Sequence, residues 1–89
     1  MRETLSEAPK RGSAEEVQQL TLEWVAELLE EPQARPEDNF LDLGGHSMLA
    51  LQLSQRAKKH FGAEYDIKVL FEGSVAEAAA DLAARVAQG

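Results

Sequence analysis

Apolar residues recur at helical spacing in three stretches of this chain, each with its own start and stop signals. Val17, Leu20, Trp24 and Leu28 follow an i, i+3, i+4 pattern. Leu22, Val25 and Leu29 widen that face, and the glutamates mostly take the opposite side. Ser13 followed by Glu16 reads as a capping box that opens this first helix, and Pro32 is expected to end it. A second helix is expected from about Ser47 to His60, with Gly62 as its C-terminal stop. Asp66 suits the cap of a short turn carrying Ile67, Leu70 and Phe71, which Gly73 breaks. Ser74 and Glu77 form another capping box, after which Val75, Ala78, Ala79, Leu82 and Val86 share one face of a last helix. No strand signal and no internal repeat is present. The pattern predicts an all-α fold, a four-helix bundle of three main helices and a short third helix.

The gaps between these elements are informative. Glu31 to His46 is a long connection punctuated by Pro32, Pro36, Gly44 and Gly45. Phe40, Leu41 and Leu43 are expected to pin it across the bundle as apolar anchors, and loops of this length are often functional. Residues 1–12 mix charges with Pro9 and Gly12 without periodicity and are expected to form a mobile leader.

At ~100° per residue the second helix divides into two faces. Leu49, Ala50, Leu53, Ala57 and Phe61 share one side, which is the expected core. Ser47, Met48, Leu51, Gln55 and Lys58 fall on the other. Met48 and Leu51 are therefore expected to be exposed beside the serine. Single exposed apolar residues are common, but two beside one serine also suit a docking patch.

Composition narrows the class. At 89 residues the chain is one small domain, and its 44% hydrophobic content suits a modest core. Without cysteine, disulfides and cysteine-based metal or redox chemistry are excluded, and no metal site is expected. No apolar stretch is long enough to span a bilayer and no signal peptide opens the chain, which fits a cytoplasmic protein with no membrane partner. A net charge of −7 argues against a nucleic-acid binder. From Ser13 to Glu31 every charge is acidic (Glu15, Glu16, Glu23, Glu27, Glu30, Glu31). From Ser47 to Gly62 every charge is basic (Arg56, Lys58, Lys59).

Ser47 follows a glycine pair and opens an apolar helix, so three readings compete for it. It is an ordinary N-cap or first-turn serine, a hydrolase nucleophile, or a serine modified by another enzyme. Gly45-His46-Ser47-Met48-Leu49 lacks the second glycine of a nucleophile elbow and no strand precedes it. His46 is a sequence neighbour of Ser47 that points elsewhere at a helix start, and His60 lies far along the helix. A hydrolase is therefore set aside, and no catalytic residue is assigned.

The run Asp38-Asn39-Phe40-Leu41-Asp42-Leu43-Gly44-Gly45-His46-Ser47-Met48-Leu49 resembles the phosphopantetheine-attachment motif of carrier proteins. Its Leu-Gly-Gly-His-Ser form is similar to the peptidyl carrier (thiolation) domains of nonribosomal peptide synthetases. Fatty-acid and polyketide acyl carrier proteins usually have aspartate where this chain has His46. Lys68-Val69-Leu70-Phe71-Glu72 resembles the family's short third helix, and Gly73-Ser74-Val75-Ala76-Glu77 the start of its last, although the family often has Pro-Thr where this chain has Gly73-Ser74.

The resemblance implies an acyl-carrier-protein-like bundle and a carrier domain over residues 13–87. It implies that a phosphopantetheinyl transferase attaches 4′-phosphopantetheine from coenzyme A to Ser47, with metal and base supplied by the transferase. Gly44, Gly45 and His46 flank the attachment site, and the glycines allow close approach. The attached phosphate would lie at a helix N-terminus, which favours negative charge. Met48 and Leu51 would then be the anchors for adenylation, condensation and thioesterase domains. The helix bearing them is net basic, so docking is expected to rest more on apolar contact than on charge. The cargo is expected to be an aminoacyl or peptidyl thioester. The initial methionine and a start without linker composition lead to the expectation of a free-standing (type II), monomeric carrier of bacterial secondary metabolism. The alternatives are an acyl carrier for polyketide or fatty-acyl chains and a cofactor-free helical interaction module.

Overall fold

The computed structural model describes residues 13–88, so the leader expected at residues 1–12 lies outside the described residues. Four helices follow in order: α1 (Ala14–Leu28), α2 (Ser47–Phe61), α3 (Ile67–Glu72) and α4 (Val75–Gln88). No strand occurs among the described residues, and the all-α expectation holds.

The local signals act where the sequence places them. Ser13 is extended and its Oγ accepts the Glu16 N–H at 3.1 Å, satisfying one orphan amide of α1. Asp66 Oδ1 accepts from the amides of Lys68 (2.9 Å) and Val69 (3.3 Å). At α4 the capping box is reciprocal: Ser74 Oγ accepts from Glu77 N (3.1 Å), and Ser74 N donates to Glu77 Oε1 (2.8 Å). Gly62 closes α2 in the left-handed conformation, at φ 81°.

One boundary differs. α1 stops at Leu28, ahead of Pro32, because Glu30 turns the chain at φ 56°. Glu31 N donates to Ala26 O (2.8 Å) and Glu30 N to Glu27 O (3.3 Å), the paired bonds of a Schellman motif. A side chain at this position costs roughly 1–2 kcal/mol relative to glycine's freedom there, against roughly 0.5–1 kcal/mol of extra unfolded-state entropy for glycine. Glu30→Gly is therefore expected to stabilise the domain and raise its Tm by about 4 °C. A thermal melt followed by circular dichroism checks this, and an unchanged or lower Tm would contradict it.

α1 packs most extensively against α4 and also meets α2, while α3 packs on α4. Val17, Val25, Leu53, Ala57, Leu70, Val75, Ala78, Ala79 and Leu82 make the shared core. On α1 the buried line is Val17, Thr21 and Val25, one step round from the line through Leu20 and Trp24. Thr21 is tolerated there because its Oγ1 meets the Tyr65 hydroxyl at 2.6 Å. Burial pushes the Tyr65 phenol well above its ordinary pKa, with the Thr21 hydrogen bond acting the other way. The opposed charges of α1 and α2 also meet: Arg56 pairs with Glu27, and Glu16 Oε2 lies 3.8 Å from His60 Nε2. These pairs are partly exposed and contribute little stability.

The long connection is a built element. Phe40 is fully buried and stacks on Phe71, with ring centroids 6.1 Å apart. Asn39 ties the loop to the far side of the bundle. Its Nδ2 donates to Phe71 O (3.0 Å) and Gly73 O (2.7 Å). Its Oδ1 accepts from Leu41 N (2.9 Å) and Asp42 N (3.1 Å). The loop also supplies acceptors for α4: Val75 N donates to Asp38 O and Ala76 N to Pro36 O, each at 2.8 Å. Of the three expected anchors, Phe40 is buried and Leu43 packs partly against the core, but Leu41 is 45% exposed. One helical turn after Asn39, closed by the bonds Leu43 N to Asn39 O, Gly44 N to Leu41 O and Gly45 N to Phe40 O, accounts for this. It puts Phe40 inside and leaves its neighbour on the outer side.

Candidate functional site

The connection delivers the chain to α2 through Gly44, Gly45 and His46. Gly44 sits at φ 100°, a backbone conformation costly for other residues, and a Cβ there would meet nothing within 4 Å. Gly45 serves a different purpose. A Cβ at Gly45 would lie 2.3–2.7 Å from the Phe40 ring, so the glycine lets the loop close over its own core anchor. Space is open beside Gly44, while Gly45 answers to internal packing.

His46, fully extended, is the N-cap of α2, and its side chain makes no capping bond. Ser47 is the first helical residue and is exposed, so it does not serve as the cap. Among the described residues the first-turn amides of α2 thus have no side-chain cap. Acidic residues occupy the first turns of α1 (Glu15, Glu16) and α4 (Glu77), but none occupies that of α2. Its last turn carries Lys58, Lys59 and His60, the sign that the helix dipole favours at that end. The first turn of α2 thus carries no acidic residue of its own to compensate the positive end of the helix dipole. An anion attached at Ser47 would supply a compensating charge, so these residues fit a phosphate-linked group.

Ser47 leaves a loop and no strand precedes it among the described residues. His60, at the other end of the same helix, lies about 20 Å away along its axis.

The surface around Ser47 is apolar. Met48 is 59% exposed and Leu51 52% exposed, as the helical faces predict. Leu41 and Ile67 are exposed large apolar residues as well, and sequence periodicity did not single them out. Ile67 opens α3 and borders, with Leu51, a cleft of about 290 Å³. The cleft is bordered by Ser47, Ala50, Leu51 and Ser54 of α2, by Glu64 and Tyr65, and by Ile67 and Phe71 of α3. Behind its wall, Ser54 Oγ is buried without a hydrogen-bond partner among the described residues, which costs roughly 1–3 kcal/mol if left unmet. In sequence Ser54 reads only as a small residue beside the core line of α2; its isolation depends on what α3 and Tyr65 place around it.

A family model described as "Phosphopantetheine attachment site" matches residues 19–83. The chain is 38% identical over 79 residues to a dimodular nonribosomal peptide synthase of Bacillus subtilis, covering 89% of this chain and 3% of that protein. It is 35% identical over 82 residues to a nonribosomal peptide synthetase of Curvularia clavata, covering 92% of this chain and 1% of the other. A shorter match, 46% over 43 residues, joins it to a polyketide synthase of Bacillus subtilis, covering 48% of this chain and 1% of that protein. The chain thus spans only a few per cent or less of the length of these relatives. No solved structure matches it. The family match covers most of the bundle and the whole Ser47 motif, and the chain belongs to the phosphopantetheine-attachment family, with 4′-phosphopantetheine as its cofactor.

Proposed function

We propose that this chain is a peptidyl carrier of nonribosomal peptide synthesis, with residues 13–87 as the carrier domain and Ser47 as its attachment point. The observation that carries the reading is Ser47 itself: exposed, on the first turn of a helix whose N-terminus has neither a side-chain cap nor an acidic residue. Ser47 Oγ loses its proton to a base of a phosphopantetheinyl transferase and forms the new O–P bond. The pyrophosphate bond of coenzyme A breaks, and its adenine nucleotide half leaves. The first-turn amides of α2 then lie beside the phosphodiester. When bound, the group supplies a flexible arm whose thiol carries the cargo as a thioester, a thiol that the cysteine-free chain lacks.

The protein's own residues present the arm; none is assigned a catalytic role. His46 starts the helix, Gly44 keeps the approach open, and Phe40 with Gly45 holds the loop in place. Adenylation, condensation and thioesterase domains are the partners, and the nonribosomal relatives support that class. They dock on Met48 and Leu51, with Leu41 and Ile67 extending the apolar surface. Arg56 pairs with Glu27 and Lys58 Nζ lies 3.8 Å from Glu64, which tempers the basic charge of α2 and favours apolar contact as the main docking term. Among the described residues no helix is long and apolar enough to cross a membrane. The carrier is read as monomeric and cytoplasmic.

The decisive experiment is intact mass after incubation with coenzyme A and a broad-specificity transferase, followed by loading with amino acids through an adenylation enzyme. A phosphopantetheine gain followed by an aminoacyl gain is expected; no first gain overturns the reading. The polyketide synthase match supports a second reading, an acyl cargo. In that case the first gain occurs and only acyl groups follow. Met48→Asp is expected to lower aminoacyl loading at least tenfold without altering the fold, because it places a charge at the centre of an apolar contact. Loading rates measured at equal concentrations of arm-bearing protein check this, and unchanged rates would remove Met48 from the docking surface.

A further inference from the structure

Met48 holds one of two sulfur atoms in a chain without cysteine; the other methionine, Met1, lies outside the described residues. Among the described residues Met48 is the most exposed of the large apolar side chains, at 59%. It stands in the first turn of α2, one position after Ser47. An exposed thioether is open to oxidants. The other oxidisable side chains are better shielded. Trp24 is half-buried against the rings of His60 and Phe61, and Tyr65 is buried. When the arm's thiol is taken up in a thioester, the Met48 thioether is the accessible sulfur that an oxidant still meets on the described residues.

The reaction is a two-electron oxygen transfer. The Met48 sulfur gives an electron pair to one oxygen of hydrogen peroxide. The S–O bond forms, the O–O bond breaks, and the second oxygen leaves as water; sulfur is oxidised and the peroxide reduced. The product is polar where the thioether was soft and apolar. The fold tolerates it, because the buried residues of α2 are Ala50, Leu53, Ser54 and Ala57 and the new oxygen stays in solvent. Docking does not tolerate it. An apolar contact formed over Met48, Leu51, Leu41 and Ile67 would desolvate the sulfoxide oxygen without offering it a donor. We propose that Met48 is an oxidation site, at which a peroxide-class oxidant forms the sulfoxide and weakens partner docking. The proposal rests on Met48 being a docking anchor. Reduction by two thiols, which become a disulfide as the sulfoxide oxygen leaves as water, restores the anchor.

The test oxidises the full chain with hydrogen peroxide before the arm is attached, so that the arm's thiol never meets the oxidant. Transferase and coenzyme A then act to completion, and loading by an adenylation enzyme is measured at equal concentrations of arm-bearing protein. A gain of about 16 Da, one oxygen, is expected on the peptide that contains Met48. Loading is expected to slow about tenfold at an unchanged melting temperature. Methionine sulfoxide reductases with dithiothreitol should return the rate to that of untreated protein. Met48→Leu, compared with itself before and after peroxide, should show no response. Absence of sulfoxide at Met48 under conditions that oxidise free methionine overturns the proposal, as does an equal peroxide response in Met48→Leu. Sulfoxide at Met48 with undiminished loading also overturns it. Met48→Asp then separates the two readings: slow loading in that variant leaves the docking anchor standing, and unchanged loading removes both.

Discussion

Ser47→Ala is expected to abolish phosphopantetheinylation completely while leaving the bundle intact. Ser47 is exposed and caps nothing, so its hydroxyl contributes no packing and no cap. Alanine is the better helix former by up to about 0.5 kcal/mol, so the variant should melt at or slightly above the wild-type temperature. The described residues offer few substitute acceptors. Ser13 and Ser74 accept capping bonds from Glu16 N and Glu77 N, and Ser54 Oγ is buried. Intact mass spectrometry after a long incubation with excess transferase is the measurement. A gain in mass in Ser47→Ala would move the attachment point elsewhere, and loss of modification alongside a collapsed melt would point to folding as the cause.

Phe40→Ala is expected to be the most damaging change to stability, at about 3–5 kcal/mol. Domains of this size have roughly 5–10 kcal/mol in total, so the variant would be marginal. The cost has three sources. A fully buried ring is removed, its stacking on Phe71 is lost, and a cavity opens beneath Gly45. The last of these connects stability to function. With the ring gone, Gly45 has nothing to close over, and the approach to Ser47 loosens. Transferase modification is therefore expected to slow by more than the unfolded fraction explains. Denaturant titration checks the first claim and modification rates corrected for folded fraction check the second. A loss below about 1 kcal/mol would show that the connection is not part of the core.

The helices and their ends were legible because their causes are local. Ser13 with Glu16, Asp66 ahead of Ile67, and Ser74 with Glu77 each act within three residues. The faces of α2 follow from helical geometry alone, which is why Ala50, Leu53 and Ala57 are buried while Met48 and Leu51 are exposed. The helix stop at Glu30 escaped notice because glutamate is a poor candidate for a left-handed residue, and Pro32 two positions on looked like the stronger signal. Leu41 escaped because two adjacent apolar residues in a loop do not reveal which turns inward.

By itself, the sequence determined the helical class, the helix starts, the exposed apolar pair on α2 and the motif around Ser47, since all of these depend on residues a few positions apart. Only the tertiary structure decided what distant residues do to one another. It set Thr21 against Tyr65, 44 positions away, and tied Asn39 to the carbonyls of Phe71 and Gly73. It made Gly45 answerable to Phe40 and left Ser54 unpartnered beside the cleft. The physical reason is that burial and hydrogen-bond satisfaction are properties of a packed neighbourhood, and here chain closure assembles that neighbourhood from helices and a loop far apart in sequence.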